Sequence, residues 1–323
     1  MPFNSLTSRT DAAALIPEEV SREILQDLAQ TGFLMQLARR LPDMPRAQTR
    51  MPVLSALATA YFVNGDTGLK QTAETAWANK YIDAEEIACI VPIPEAVLDD
   101  ADYDIWAEIK PQVVDAFNIA ITQAVLYGTN IPATWTTNLG AAGIIALVAA
   151  ATQNVSLAGF TDVYEAVLGE SGAGLRDGVL ALLEADGFTA TGHLAHVGFK
   201  TDLRNTRTVD GMPIFNADPS SKAGYVLDGA PCYFPQDGSL SATYYLISGQ
   251  WNQLVYAMRQ DLTYKVLDQA VITDATGAIV YNLAQQDMVA LRAVMRIGFA
   301  LPNPINRMNE TEATRCPFSY LTA

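Results

Sequence analysis

The clearest alternation of apolar and polar positions lies near the C-terminal end. Val289, Leu291, Ala293, Met295, Ile297 and Phe299 take every second place, with Arg292 and Arg296 between them. Successive side chains of a strand point to opposite faces, so this pattern predicts one strand with an apolar side and a basic side. It exceeds the usual ~5–6 residues of a strand, which predicts an elongated sheet and not a small round barrel. Upstream, Leu254, Tyr256 and Met258 alternate, then Leu262, Tyr264 and Val266, and an Asp-Ala-Thr-Gly turn at 274–277 leads to a further strand over 279–283.

Helical spacing dominates earlier in the chain. Val113, Val114, Phe117, Ala120, Ile121, Ala124 and Val125 recur three and four apart between Pro111 and Gly128, which suit a first helical position and a C-terminal cap. Ile105, Trp106 and Ile109 extend this helix backwards, with a bend expected at Pro111. Another helix is predicted over 17–30, opened by Pro17, Glu18 and Glu19, striped by Val20, Ile24, Leu25 and Leu28, and closed at Gly32. Pro42, Pro45 and Pro52 then prevent continuous helix, so it reads as an arm on an extended connector.

Two strand-like runs, 51–63 and 77–93, flank a polar tip at 64–70, and the Asn-Gly-Asp sequence with Gly68 favours a turn between them. Ile87, Cys89, Val91 and Ile93 share a face, but Glu85 and Glu86 precede them, and the first run carries the small side chains of Ala56, Ala58, Thr59 and Ala60. A two-stranded ribbon so thinly apolar needs a surface to lie on, in its own chain or in a neighbour. Between 133 and 250, helical pieces alternate with short strands. Thr161 or Asp162 is positioned to cap a helix through Leu168, and Asp177 another through Ala185 that ends at Gly187. Strands are expected at 193–197, 212–215 and 244–247. The whole reads as an α+β fold in which an early helix and a late sheet form one domain around an inserted α/β domain.

Composition narrows the function. The 323 residues include 35 acidic and 20 basic side chains, a net charge of −15, with 50% hydrophobic and 17% charged residues. That is too apolar for a disordered chain and too acidic for broad gripping of phosphate backbones. The length suggests roughly two domains. Three isolated cysteines, Cys89, Cys232 and Cys316, indicate neither a zinc ribbon nor a disulfide framework, and a reducing compartment is expected. The N-terminal residues lack a secretory pattern, and the apolar stretch at 139–151 falls short of the ~18 residues of a membrane span. A soluble chain with no membrane partner is expected.

Candidate chemistry is sparse. His193 and His196 are the two histidines, and on a strand that spacing points them to opposite sides, so structural histidines are expected in place of a metal site. Gly169-Glu170-Ser171-Gly172-Ala173 ends in Ala where a nucleophile elbow needs Gly, which makes an α/β hydrolase working through Ser171 a remote alternative. Gly172, Gly174 and Gly178 miss the dinucleotide fingerprint, and a surface loop is the expected role. Asp99, Asp100, Asp102 and Asp104 lack an EF-hand's Gly and distal Glu, so helix-start electrostatics explain them better than a cation. Cys316 is expected to be exposed, but no His or Asn is placed to activate it. No catalytic, metal or cofactor-binding residue is therefore expected, and no enzyme.

Order carries more information than any single motif. Leu15-Ile16-Pro17-Glu18 opens the arm helix, Val91-Pro92-Ile93-Pro94-Glu95 leads from the ribbon into the long helix, and Asp210-Gly211-Met212-Pro213 lies in the inserted domain. Ser248-Gly249-Gln250-Trp251 runs into Met258-Arg259-Gln260-Asp261-Leu262-Thr263, and Gln286-Asp287-Met288-Val289-Ala290-Leu291-Arg292 precedes Arg296-Ile297-Gly298-Phe299-Ala300. Over nearly the whole chain this order resembles the major capsid proteins of tailed bacteriophages with the HK97-type fold. The resemblance implies an N-arm at 1–45, an E-loop hairpin at 46–91, a P-domain at 92–130 and 251–323 with a long spine helix and an elongated antiparallel sheet, and an inserted A-domain at 131–250.

The same resemblance implies self-assembly into pentamers and hexamers of an icosahedral shell around double-stranded DNA. A-domains would meet on the five-fold and six-fold axes, and E-loop and N-arm would cross neighbouring subunits. The E-loop tip residues Asn64, Gly65, Asp66, Gly68 and Lys70 are then the expected assembly contacts. Portal, scaffolding and decoration proteins are the implied partners, with no cofactor, and the implied location is the virion capsid after assembly in the host cytoplasm. An encapsulin-like bacterial shell is the alternative on the same fold. Some relatives lock the shell by an isopeptide between an E-loop Lys and a P-domain Asn beside a buried Glu. Lys70 or Lys80 would supply the amine, but Asp287 and Val294 stand where the Asn and Glu are required, so no such cross-link is expected. Met1 stands shortly before the arm helix, so scaffolding is expected to be separate or dispensable. An acidic wall of such subunits would let DNA slide past during packing.

Overall fold

The computed structural model describes residues 32–63, 69–100, 104–169, 177–206 and 225–323. The predicted helix at 17–30, the tip residues Asn64, Gly65, Asp66 and Gly68, Asp102, Ser171 with its glycines Gly172 and Gly174, and the predicted strand at 212–215 lie outside the described residues. In chain order the elements begin with α1 (Phe33–Leu37), β1 (Arg39–Arg40), β2 (Gln48–Ala56), β3 (Ala76–Asp83), β4 (Glu85–Pro94), α2 (Glu95–Asp100) and α3 (Ile105–Tyr127). They continue with α4 (Thr136–Leu139), α5 (Gly143–Ala150), β5 (Asn154–Ser156), α6 (Val163–Leu168), α7 (Val179–Ala185), β6 (Gly192–Ala195), α8 (Val197–Asn205), β7 (Val226–Leu227), β8 (Ala230–Tyr233) and β9 (Tyr244–Gly249). The last are β10 (Val255–Leu267), β11 (Val271–Thr273), β12 (Ile279–Asn282), β13 (Met288–Ala300) and β14 (Phe318–Thr322).

α3 forms where the apolar spacing predicts it, and its ends are set by side-chain and backbone chemistry. The Asp104 carboxylate accepts from the backbone N–H groups of Trp106 at 3.0 Å and Ala107 at 3.3 Å, satisfying donors that the first helical turn leaves free. Gly128, at φ 69°, closes the other end by donating to Ala124. The helix is assigned without a break through Pro111, although the ring removes one N–H.

β10 and β13, 13 residues each, pair antiparallel in a four-stranded sheet ordered β1-β10-β13-β4, in which β1 is parallel to β10. The apolar alternation of β13 brings Ala293, Met295, Ile297 and Phe299 into one core with Val113, Phe117 and Ile121 of α3. The same cluster runs on into a six-stranded sheet, β5-β14-β9-β6-β8-β7, through Leu194, Ile247, Phe318 and Tyr320. A second core, built by α6, α7 and α8, covers the other side of that sheet at Ala195, Leu246 and Leu321. Early helix and late sheet thus share one core.

Three local expectations need correction. The run at 77–93 is not one strand of a hairpin: β3 pairs with β2, whereas β4 pairs with β13 from Met288↔Pro94 to Ile297↔Glu85. β4 is drawn away because its alternating Ile87, Cys89 and Val91 can join the core beneath β13, which the ribbon cannot offer. The strand expected at 193–197 stops at Ala195, and His196 instead caps α8 by accepting from the Gly198 N–H at 3.1 Å. Gly178, and not Asp177, occupies the N-cap of α7. Within 251–323, β10 and β13 lie in the four-stranded sheet, and β14 enters the six-stranded one between β5 and β9, where Phe318 and Leu321 are fully buried.

Candidate assembly interface

β2 and β3 form a ribbon in register from Gln48↔Asp83 to Ala56↔Ala76, and among the described residues no other strand pairs with either. Its root is fixed by close packing. Ile82, completely buried, sits with Met44, Val255, Ala257 and Ala300 in a small third core. A Cβ at Gly298 would lie 2.6 Å from the Asp83 carbonyl oxygen, so the ribbon root approaches β13 at a distance that only glycine permits. Trp135 Nε1 donates to the same Asp83 carbonyl at 2.8 Å, and Asn138 Nδ2 donates to the Tyr81 carbonyl at 2.6 Å.

Beyond the root the ribbon is apolar and uncovered. Trp77 is 67% exposed and Phe62 wholly so, and Tyr61, Val63, Leu69 and Tyr81 are exposed with them. A monomeric protein seldom leaves so many large apolar side chains on one projection. Lys70 is exposed beside them, the one predicted tip contact within the described residues. The sequence signal for the others was the Tyr61-Phe62-Val63 triplet and Trp77, which are too large and apolar for an ordinary loop.

A second uncovered apolar surface lies at the far end of the long sheet. The hairpin β11–β12 exposes Val271, Ile279, Val280 and Tyr281, and Tyr264 and Val266 of β10 are exposed nearby in the chain. Its turn is held by Asp274, whose Oδ1 accepts from the N–H groups of Thr276 and Ala278 and from the Thr276 hydroxyl. Those bonds, the Thr276 hydroxyl's first, hold the Asp274 carboxyl below the usual range.

The described residues with candidate chemistry do not form one site. His193 is fully buried on β6, its Nε2 donating to the Leu227 carbonyl at 3.0 Å and its Nδ1 accepting from the Ser248 hydroxyl at 2.8 Å. His196 lies at the α8 cap stacked on Tyr245, so the two do not converge. Cys316, expected to be exposed, is 2% exposed, and burial pushes its thiol up to about 12. Asp99 and Asp100 end α2 while Asp104 caps α3. Among the described residues no three His, Cys, Asp or Glu side chains stand close enough to hold a metal. A cleft of about 660 Å³ beside α3 and α5 is lined by Tyr127, Tyr244, Tyr320, Gln123 and otherwise small or aliphatic residues, with no Asp, Glu, His, Lys or Arg among its lining. Among the described residues no helix is long and apolar enough to cross a membrane.

The positions relevant to a covalent lock are equally plain. Lys80 meets Glu312 of its own chain at 2.5 Å, Asp287 adopts φ 48° at the start of β13, and Val294 is buried within that strand. Arg296 donates through Nε at 2.9 Å and Nη2 at 2.6 Å to Glu86 Oε2, directly opposite it on β4.

This architecture has relatives. The sequence model of the phage capsid family matches residues 12–306. The major capsid protein of Staphylococcus phage 80alpha is 26% identical over 301 residues, covering 86% of this chain and 79% of its own. A solved chain from Microbacterium phage Oxtober96 superposes with a TM-score of 0.81 at 27% identity, covering 98% of this chain and 99% of that one. One from Mycobacterium phage Bobi gives 0.77 at 26% identity with the same coverage. The arrangement of ribbon, spine helix, long sheet and six-stranded sheet is the HK97-type fold, and the relative from Staphylococcus phage 80alpha is a major capsid protein. The chain belongs to the phage capsid family.

Proposed function

We propose that this chain forms pentamers and hexamers that close into an icosahedral shell around double-stranded DNA. The single observation that carries the reading is the ribbon, whose exposed Trp77, Phe62 and Tyr61 have no cover among the described residues of their own chain. A copy of the same chain supplies such cover repeatedly under closed symmetry, so modest contacts add to a stable shell. On this reading residues 1–45 act as N-arm, 46–91 as E-loop, 92–130 and 251–323 as P-domain, and 131–250 as A-domain, with the ribbon root and β14 as the places where these units interlock. Asn64, Gly65, Asp66, Gly68 and Lys70 contact the neighbouring subunit from the ribbon tip. Portal, scaffolding and decoration proteins complete the particle, which is assembled in the host cytoplasm. The net charge of −15 favours a wall that packaged DNA does not adhere to.

Expression of the chain alone followed by negative-stain imaging tests the assembly. Uniform hollow particles or free pentamers and hexamers are the expected products; a monomer that persists under every assembly condition overturns the reading. DNA protected from nuclease inside particles purified from infected cells is the second expected result, and a protein cargo in its place would point to an encapsulin-like shell.

A further inference from the structure

Residues 301–317, between β13 and β14, contain no helix or strand, yet they are tied to two separate parts of the molecule. One set of ties is buried or part-buried. Asp186, directly after α7 and 8% exposed, accepts from Asn306 Nδ2 through its backbone oxygen at 2.7 Å, from Asn309 Nδ2 through Oδ1 at 2.8 Å, and from the Cys316 N–H through Oδ2 at 3.0 Å. Gln153 Nε2 donates to the same Oδ2. Arg315, 4% exposed, braces the segment internally, donating to the backbone oxygens of Asn309 at 2.9 Å and Asn303 at 2.8 Å and to Asn303 Oδ1 at 3.2 Å.

The other set, half-buried at Ile305 and exposed at Arg307 and Glu312, reaches the ribbon and the residues just past it. The Ile305 N–H donates to the Leu54 carbonyl at 3.2 Å, Arg307 Nη2 donates to the Ala58 carbonyl at 2.5 Å, and Lys80 Nζ meets Glu312 Oε1 at 2.5 Å. The two sets differ in kind. The buried bond from the Cys316 N–H to the Asp186 carboxylate is hard to break, because the freed groups have no water to turn to. An ion pair whose Glu312 side chain is 61% exposed is easily exchanged for water and is screened by salt.

We infer that residues 303–315 are a strap that sets the direction of the ribbon, anchored permanently at Asp186 and fastened releasably at Lys80–Glu312 and Arg307–Ala58. Among the described residues none of the hydrogen bonds made by Asp186 goes to the ribbon, so the strap carries the position of the α7 end to the ribbon. This rests on the proposed role of the ribbon in assembly and names what regulates it: the strap selects the angle at which the ribbon meets a second copy.

The test uses the full chain carrying Lys80→Glu, Glu312→Lys or both. Hydrogen exchange on unassembled subunits is expected to quicken about two- to five-fold at ribbon amides 48–58 and 76–83 in each single variant, the bias an exposed pair supplies, and to return to wild type in the swapped pair. Particle diameters should broaden in the singles and sharpen again in the double. Unchanged ribbon exchange in both singles, or no recovery in the double, overturns the inference. Asp186→Asn tests the anchor: quickened exchange in the ribbon as well as in 301–317 supports transmission, and a change confined to 301–317 and α7 overturns it. Should that variant not fold, the Lys80 and Glu312 series decides. If wild-type chain does not assemble at all, the proposed function fails while the exchange measurements still judge the strap.

Discussion

Trp251 and Phe318 meet edge to face, their ring centroids 5.0 Å apart and their planes at 69°. Trp251 stands where the chain leaves β9 for the long sheet, and Phe318 where it comes back into the six-stranded one, so their contact joins the two sheets in one core. The Trp251 indole N–H also donates to the Gly192 carbonyl at 2.9 Å, and its backbone N–H to the Thr191 hydroxyl at 3.0 Å.

Replacing Trp251, 1% exposed, by Ala removes a large ring from this junction. A loss of ~3–5 kcal/mol is expected from the cavity and the lost burial. Trp251→Phe keeps an aromatic body and forfeits the indole bond, with an expected loss of ~1–3 kcal/mol. Urea unfolding followed by circular dichroism orders the variants. Equal midpoints for Trp251→Ala and wild type would show that the two sheets do not depend on this junction.

His193 predicts acid sensitivity. Nε2 faces the Leu227 carbonyl, which can only accept, so the neutral ring carries its proton there and Nδ1 accepts from Ser248. Burial pushes the imidazole below its ordinary 6.5, against smaller opposing effects from the Leu227 bond and the Asp228 charge, while Cys232 lies beside it on β8. A folded pKa below the unfolded one means that the unfolded chain binds the extra proton first. The stabilising contribution is therefore present above pH 6.5 and is lost as the pH falls from there toward the folded value. Urea midpoints measured from pH 7.5 to ~5.5, above the range of ordinary carboxylates, should fall for wild type. They should change less for His193→Gln, which is weaker at neutral pH. Parallel curves for the two proteins would contradict a neutral buried histidine.

How much of this was legible depended on whether a residue's neighbours are close in sequence. β13 was legible because one face alternates Ala293, Met295, Ile297 and Phe299, and α3 because Asp104 and Gly128 bracket its apolar stripe. The handover from β3 to β4 was not, since Ala84 carries no turn chemistry and its N–H simply bonds to Ala47. β14 has no alternation to detect: Phe318, Ser319, Tyr320 and Leu321 are all buried. The role of Asp186 depends on Asn306, Asn309 and Cys316, far along the chain, and no periodicity marks such a bond. The ribbon itself was legible as a hairpin in need of a surface, but which face Trp77 and Tyr81 take follows from the register of β2 on β3.

The cysteines give a chemical check on the interior. Burial pushes both the Cys232 and the Cys316 thiols up to about 12. Since the thiolate is the reactive form and both side chains are buried, neither should be alkylated by iodoacetamide at pH 8 in the native chain. Both should react at once in guanidinium. Peptide mapping of alkylation before and after unfolding reads the result, and native modification of Cys316 would mean that the end of the strap opens.

The ribbon aromatics should separate folding from assembly. Trp77 is 67% exposed in the subunit, so Trp77→Ala removes little buried surface there and should leave the melting of unassembled chain within ~0.5 kcal/mol of wild type. If a neighbour covers that ring in the shell, burying it contributes ~1.5–3 kcal/mol at each contact. That corresponds to a roughly 10- to 100-fold weaker association per contact in the variant. Sedimentation of assembly mixtures over a range of subunit concentrations measures it as a rise in the concentration at which particles first form. Phe62→Ala, at a side chain with no burial of its own, should act in the same direction. A protein that assembles at the wild-type threshold with both rings removed would place the intersubunit contact elsewhere than on this ribbon, whereas a lowered melting temperature without a shifted threshold would mean that the rings serve the subunit itself.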